Sequence, residues 1–325
     1  MTKNGSVKMN RFQTLLCAAA LLAASEPFQA RAGALSAPRS TISTVQALPR
    51  LELSVGFRKF SDSFASYQFP DPDTGTNPLS RLEFPIDTWF VGLRVTRPYR
   101  RCSLNVEYWT HLNGKTFGAM RDSDWEDPGN PSLRTTYSES MNRVVDGQMA
   151  DASLDWNVAR IGRWTLGPRA GYRWQTIRFI AGNGYQMSNS SGSVRLDGDT
   201  FDVRYSFDHA YLGGFARAVL GRSTLHLGCD GGWGRVKETD RHLLRGARLT
   251  SDEGRSTVYH VTAGVSRSLT RRVDLKLDWD FQRIVADNVL HFWNEADGVT
   301  SPQSWSGARV WSDQNSITAS TIVRF

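Results

Sequence analysis

Long apolar runs are missing from this 325-residue sequence once its N-terminal leader is passed. A membrane-crossing helix needs about 18 consecutive apolar residues, and a mean hydropathy of −0.41 excludes a bundle of such helices. Cysteine is scarce as well, with only Cys17, Cys102 and Cys229, so neither a disulfide framework nor a zinc-finger spacing is available. Cys17 follows Leu16 inside an apolar stretch, which argues against a lipoprotein anchor. No nucleic-acid-binding motif accompanies the net charge of +7, part of which belongs to Lys3, Lys8, Arg11 and Arg31 in the leader. What the chain has is 11 Trp, 16 Phe, 9 Tyr and 28 Gly. Aromatic girdles, tight turns and apolar residues at every second position make up that mixture in a membrane β-barrel.

The first residues read as a secretory signal. Lys3, Lys8 and Arg11 precede an apolar core from Leu15 to Ala24, and Ala30-Arg31-Ala32 offers a small-x-small cleavage site. The expected organisation is therefore a signal peptide over 1–32, a linker over 33–50 and a barrel over 51–325.

Val273 to Phe281 is the clearest strand. Val273, Leu275, Leu277, Trp279 and Phe281 fall on one face; Asp274, Lys276, Asp278 and Asp280 fall on the other. Strict alternation with charges opposite apolar residues fits a barrel wall that is apolar outside and polar inside. Ten such segments are expected, at 51–60, 86–96, 101–112, 147–158, 164–180, 201–219, 223–238, 256–269, 272–284 and 315–325. Short turns alternate with long loops at 61–85, 113–146, 181–200, 239–255 and 285–314. This rhythm predicts an all-β fold, a transmembrane antiparallel β-barrel of ten strands with long extracellular loops, in a Gram-negative outer membrane. Cys102 shares a face with Leu104, Val106 and Tyr108, and Cys229 shares one with Leu225, Leu227 and Trp233. Both are expected as free thiols facing lipid.

Two acidic clusters stand at the loop ends of strands: Asp122-Ser123-Asp124-Trp125-Glu126-Asp127, and Glu238-Thr239-Asp240-Arg241-His242. Residues i and i+2 of an extended chain share a face. Asp122 therefore projects with Asp124, and Glu238 projects with Asp240 and His242. On the seventh strand the even positions face the lumen, which includes all three of the latter. On the third strand the lumen side is odd, so a bulge or turn near Gly114 or Gly118 has to switch the phase before Asp122. An Asp two residues from a His holds the imidazole and favours its protonated form. Two close carboxylates repel, leave one of them protonated, and share a water. Together they suit activation of water for attack on a carbonyl. Taken singly, each motif is more often a solvated surface pair. An EF-hand is excluded because Asp127 and Leu133 stand where Gly and Glu are required.

At these motifs the sequence resembles the omptins, ten-stranded outer-membrane proteases of Gram-negative bacteria. The likeness runs from about Leu51 to Phe325. It is carried by D-S-D-W-E-D-P-G-N-P at 122–131 and E-T-D-R-H at 238–242, with L-G-P-R-A-G-Y at 166–172, A-Y-L-G-G at 210–214 and the closing Phe325. The resemblance implies an aspartic-type endopeptidase in which Asp122 and Asp124 form an acidic couple and Asp240 and His242 a pair, together activating water. It implies that Glu238 receives a basic side chain before the cleaved bond. The second carboxylate of that pocket falls near Phe64, with Asp62 the nearest substitute. Another family carboxylate falls near Thr136, with Glu139 nearest. The resemblance further implies lipopolysaccharide as a lipid partner and a requirement for activity, gripped by Tyr172; Trp174, Thr176 and Ser206 replace polar or basic partners of that grip. Peptides or proteins at the cell surface are the expected substrates, and no organic cofactor, metal or nucleic acid is called for. The competing expectation is a non-catalytic barrel of the same build serving as an adhesin or invasin.

Overall fold

The computed structural model describes residues 51–325 apart from 113–117, 252–253 and 295–301. The signal peptide, its cleavage site, the linker and Gly114 lie outside the described residues. Among the described residues every regular element is a strand, and the segments line up as ten staves. The first stave is β1 (Glu52–Phe60) continued by β2 (Phe64–Phe69), and the second is β3 (Ser80–Pro85) continued by β4 (Trp89–Tyr99). The third is β5 (Cys102–His111) continued by β6 (Ala119–Asp124), and the fourth is β7 (Thr136–Trp156). A short β8 (Ala159–Ile161) pairs with the start of the fifth, β9 (Trp164–Ser188). β10 (Gly192–Leu220) and β11 (Ser223–His242) follow, then an eighth stave of β12 (Ala247–Ser251) and β13 (Gly254–Ser268). β14 (Val273–Asn294) and β15 (Gln303–Arg324) complete the set. Neighbours are antiparallel, and β1 pairs with β15, Phe57 opposite Ala319, so the sheet closes on itself. The Phe325 amide donates to the Leu51 carbonyl at 2.9 Å, which brings both ends of the described chain to the short-turn rim.

Near that rim the expected polarity holds. Leu275, Leu277, Leu104, Val106, Leu212 and Val265 are exposed on the outer face. The inner face carries charges that meet in pairs: Arg169 with Asp155 at 2.6 Å, Arg173 with Asp151 at 2.9 Å, and Lys276 with Asp278 at 2.9 Å. A charge removed from water is costly unless it is paired and hydrogen-bonded, and a lumen lined by both signs meets that condition. Cys102 and Cys229 are both free, as expected.

Further from the rim the polarity inverts without any change of facing. On β14 the even positions point inward throughout, but Asp274, Lys276, Asp278 and Asp280 give way to Ile284, Ala286 and Leu290. Phe179, Val203, Tyr205, Phe207, Val236 and Val310 join these in one buried cluster. Phe84 packs on Phe179 with ring centroids 5.4 Å apart, Phe179 on Tyr205 at 6.0 Å, and Phe60 on Phe90 at 5.3 Å. This aromatic layer crosses the lumen and forms the floor of the distal mouth.

The inversion corrects the loop assignments. Among the described residues all five segments 61–85, 113–146, 181–200, 239–255 and 285–314 contain strand, and the last three are mostly strand, because β7 begins at Thr136, β9 runs to Ser188, β10 starts at Gly192 and β14 reaches Asn294. A criterion of apolar residues outward stops at the lipid belt, while the hydrogen-bonded ladder continues beyond it with apolar residues inward. The sequence also suggests short turns at Arg97-Pro98-Tyr99 and Arg160-Ile161-Gly162, but Arg97 to Tyr99 belong to β4 and Arg160-Ile161 to β8, and the first reversal falls at Arg100-Arg101, with Arg100 at φ 54°.

Candidate active site

β11 runs unbroken from Ser223 to His242, so the lumen phase set by His226 and Asp230 carries to Glu238, Asp240 and His242. Glu238 and Asp240 are completely buried. The third stave switches phase as anticipated. It is interrupted after His111 and re-enters β6 through Gly118 at φ 115°, a conformation suited to glycine. Asp122 then stands opposite Leu82 and Ser138, and Asp124 opposite Ser80 and Thr136, all buried inward-facing positions. The two acidic motifs thus face one mouth from the third and seventh staves.

Their chemistry is coupled. His242 Nε2 lies 3.1 Å from Asp240 Oδ2, which assigns the ring proton to Nε2 and leaves Nδ1 as the basic nitrogen. The Tyr67 hydroxyl, from β2 on the far wall, donates to the same Oδ2. Phe201 packs its ring against His242 at 4.6 Å in a T-shaped contact. Burial, the largest influence on His242, lowers its proton affinity, but the Asp240 carboxylate and hydrogen bond together with Asp122 outweigh it and raise the pKa above its ordinary value. Burial, reinforced by Asp124, pushes Asp122 up to about 8, against the opposing pull of His242 and Arg245. Asp124 is raised too, chiefly by burial, with the Ser80 hydroxyl opposing. Ser80 Oγ also lies 3.4 Å from Asp122 Oδ1 and so bridges the couple. At neutral pH the couple therefore retains a proton, and it faces an imidazole that holds its own proton more tightly than an ordinary histidine.

Glu238 sits one step below Asp240 on the same face, beside Tyr205, its register partner on β10. Burial and then the Asp240 charge raise its pKa well above the usual range. The Tyr205 hydroxyl opposes this shift by hydrogen bonding to the carboxyl.

Asp62 does not join this group. It is exposed at the break between β1 and β2, with φ 51°, beside Asp87. After that break the odd positions of the stave face inward, which places Ala65, Tyr67 and Phe69 in the mouth and turns Phe64 outward. Glu139 likewise lies on the outer face, where Arg121 and Tyr185 engage it. Tyr172 is exposed on the outer face and its hydroxyl donates to Asp208 at 2.7 Å. Four contributors escaped the sequence motifs: Tyr67, Ser80, Tyr205 and Arg245. The alternation in Phe64-Ala65-Ser66-Tyr67-Gln68-Phe69 would have revealed Tyr67 had the segment been read as strand; Arg245, in a turn, leaves no such signal.

The family model described as the Omptin family matches residues 55–300. Among solved structures, the outer membrane protease OmpT from Escherichia coli aligns with a TM-score of 0.77 at 16% identity, covering 85% of this chain and 97% of that one. Neisserial surface protein A aligns at 10% identity over 85% of this chain and 97% of that one, with a TM-score of 0.27. The translocator domain of the autotransporter NalP from Neisseria meningitidis aligns at 8% identity over 85% and 89%, with a TM-score of 0.35. No curated protein sequence matches the chain.

Proposed function

The chain belongs to the omptin family and is a protein of the Gram-negative outer membrane, and from that premise we propose that it is an endopeptidase of aspartic type. Water bound between the two acidic motifs is the nucleophile. His242 takes its proton at Nδ1, Asp240 holds the imidazolium so formed, and the proton retained by Asp122 and Asp124 passes to the departing nitrogen. No covalent acyl-enzyme forms, and none of the four groups needs a metal to act. The observation that supports this reading is that Asp122 and Asp124 on the third stave and Asp240 and His242 on the seventh all face the same mouth, with His242 Nε2 3.1 Å from Asp240 Oδ2. The site then opens to the cell exterior, with the short-turn rim periplasmic.

Glu238 supports a preference for Arg or Lys before the cut. A basic side chain entering beside this fully buried carboxyl would add a charged donor and draw off its proton. With Asp62 outside the mouth, one carboxyl serves this pocket, which makes the preference narrower in margin than a two-carboxylate pocket gives. We extend the proposal to lipopolysaccharide as partner. Tyr172 marks the outer aromatic girdle, and above it Arg235 and Arg255 are direct cross-strand partners with Lys237 on the same outer face. Clustered basic side chains on the outer face suit the phosphates of a lipid headgroup.

Incubation of the purified barrel, in lipopolysaccharide-containing micelles, with a peptide library and mass-spectrometric readout tests the function. Cleavage after Arg or Lys is expected. A correctly folded barrel that leaves every peptide intact is the outcome that favours an adhesin instead.

A further inference from the structure

Asp240 is fully buried, and the residues directly opposite it in the ladder give it no hydrogen-bonding side chain. Its register partners are Val203 on β10 and Leu249 on β12, both buried and apolar. Its Oδ1 has no hydrogen-bond partner. The orientation of this carboxylate therefore rests on Oδ2 alone, which receives two groups: His242 Nε2 and the Tyr67 hydroxyl. The two differ in kind. His242 belongs to the same strand and must remain free to exchange protons. Tyr67 comes from β2, separated from β11 in the sheet by β15, β14 and β12, so its bond reaches across the lumen.

Tyr67 is itself well held. It is 1% exposed. Its ring stacks on Phe69 at 6.2 Å with planes 19° apart, and Phe69 packs on Trp305 at 5.1 Å. Burial, then Asp240 and Glu238, raise the phenol well above its ordinary pKa, so it remains a hydrogen-bond donor throughout the working pH range. We propose that Tyr67 is a positioning residue for the hydrolytic reaction: it locks the Asp240 carboxylate from the opposite wall so that Oδ2 stays aligned with His242. The inference rests on the water-activation reading of the four acidic and basic groups.

The groups facing His242 are Asp240 on its own strand, Asp122 and Asp124 from β6, Arg245 from the turn after β11, and the Phe201 ring from β10. Tyr67 reaches it only through Asp240. Removing the phenol hydroxyl leaves the negative charge of Asp240 shared with one donor instead of two. His242 then holds its proton more tightly, and the carboxylate plane is free to turn.

The test is Tyr67→Phe in the full-length barrel, which keeps the ring and its stacking. A hydrogen bond to a charged group contributes about 1.5–3 kcal/mol, so kcat is expected to fall about 10- to 100-fold, with KM nearly unchanged. In protein carrying ¹⁵N-labelled histidine, the His242 titration is expected to move to higher pH, a shift that loss of packing alone does not produce. An unchanged kcat in a protein that cleaves peptides, or an unchanged His242 titration, overturns the proposal. The titration needs no turnover, so failure of the protease reading and failure of this one are told apart. Should Tyr67→Phe not fold, the unaltered barrel decides: a slowly exchanging downfield hydroxyl proton, lost in Asp240→Asn, is expected, and its absence refutes the bond.

Discussion

Replacing Asp240 by asparagine keeps the size of the side chain and removes its charge. In the native site one carboxylate oxygen accepts from two donors, the Tyr67 hydroxyl and His242 Nε2 at 3.1 Å. Asparagine has one acceptor oxygen and an NH₂ group that repels a donor. With its oxygen toward the two donors the amide leaves its NH₂ without an acceptor in a pocket walled by Val203 and Leu249; turned the other way it sets that NH₂ against both donors. Burial, the strongest influence on His242, is then no longer outweighed, and the imidazole titrates at lower pH than in the native protein. In either orientation the ring loses the charge that stabilises its protonated form during proton transfer, and in the second it also loses the acceptor that fixes its tautomer. Loss of a positioned general base typically costs about 10²–10⁴ in rate, equivalent to about 2.7–5.5 kcal/mol at the transition state. The assay is cleavage of a peptide with one Arg, followed by mass spectrometry, on protein whose heat-modifiable gel migration shows an intact barrel. Because His242 is already neutral in the variant, raising the pH should not restore the rate. A folded Asp240→Asn barrel with native turnover refutes the assignment, and so does a loss that disappears at alkaline pH.

The native rate should follow a bell in pH, rising above the ordinary histidine range as His242 deprotonates and falling as Asp122 ionises near about 8; a rate that climbs steadily beyond that point contradicts the retained proton. Asp122 has a folded pKa above its unfolded value, so its contribution to stability is complete below about pH 4 and lost as pH rises toward its folded value. Asp122→Asn should therefore raise the melting temperature on the alkaline side and leave it unchanged in acid, as differential scanning calorimetry can measure. Glu238→Gln should reduce discrimination between Arg and a neutral residue before the cut by about tenfold or more, while a library profile identical to the native one removes Glu238 from the pocket. Phe179→Ala opens the aromatic layer under the mouth, where Phe179 touches both Phe84 and Tyr205; about 3–5 kcal/mol of destabilisation is expected, read as an earlier thermal transition.

The membrane half of the barrel was legible because lipid imposes a simple rule on the strands that cross it. Val273 to Phe281 shows that rule without interruption, and β14 carries those residues as expected. The seventh stave was legible further out because β11 contains no break, so parity counted from Leu225 still holds at His242. Where a stave is interrupted, parity is lost. Gly118 restores Asp122 and Asp124 to the lumen, and the break at Asp62 takes Asp62 out of the mouth and puts Tyr67 in. Tertiary contacts between distant staves, such as Tyr67 with Asp240, leave no local signature in the sequence. The distal strands were hidden for a different reason: their outer faces meet water, so Arg204, Lys237 and Arg241 point outward where Leu or Val would stand in lipid.

That inversion along a continuous strand gives each position a sign that depends on its height. On β11, outward Leu225 and outward Lys237 differ only in the medium beyond them. Exchanging such residues would trade a lipid contact for a stranded ammonium below and a hydrated ammonium for a sticky surface above. A substitution table for this barrel consequently has to be indexed by elevation as well as by inward or outward facing. The elevation at which the sign changes marks where the bilayer ends, so a scan of leucine and lysine along one stave would work as a ruler for the depth of the protein in its membrane.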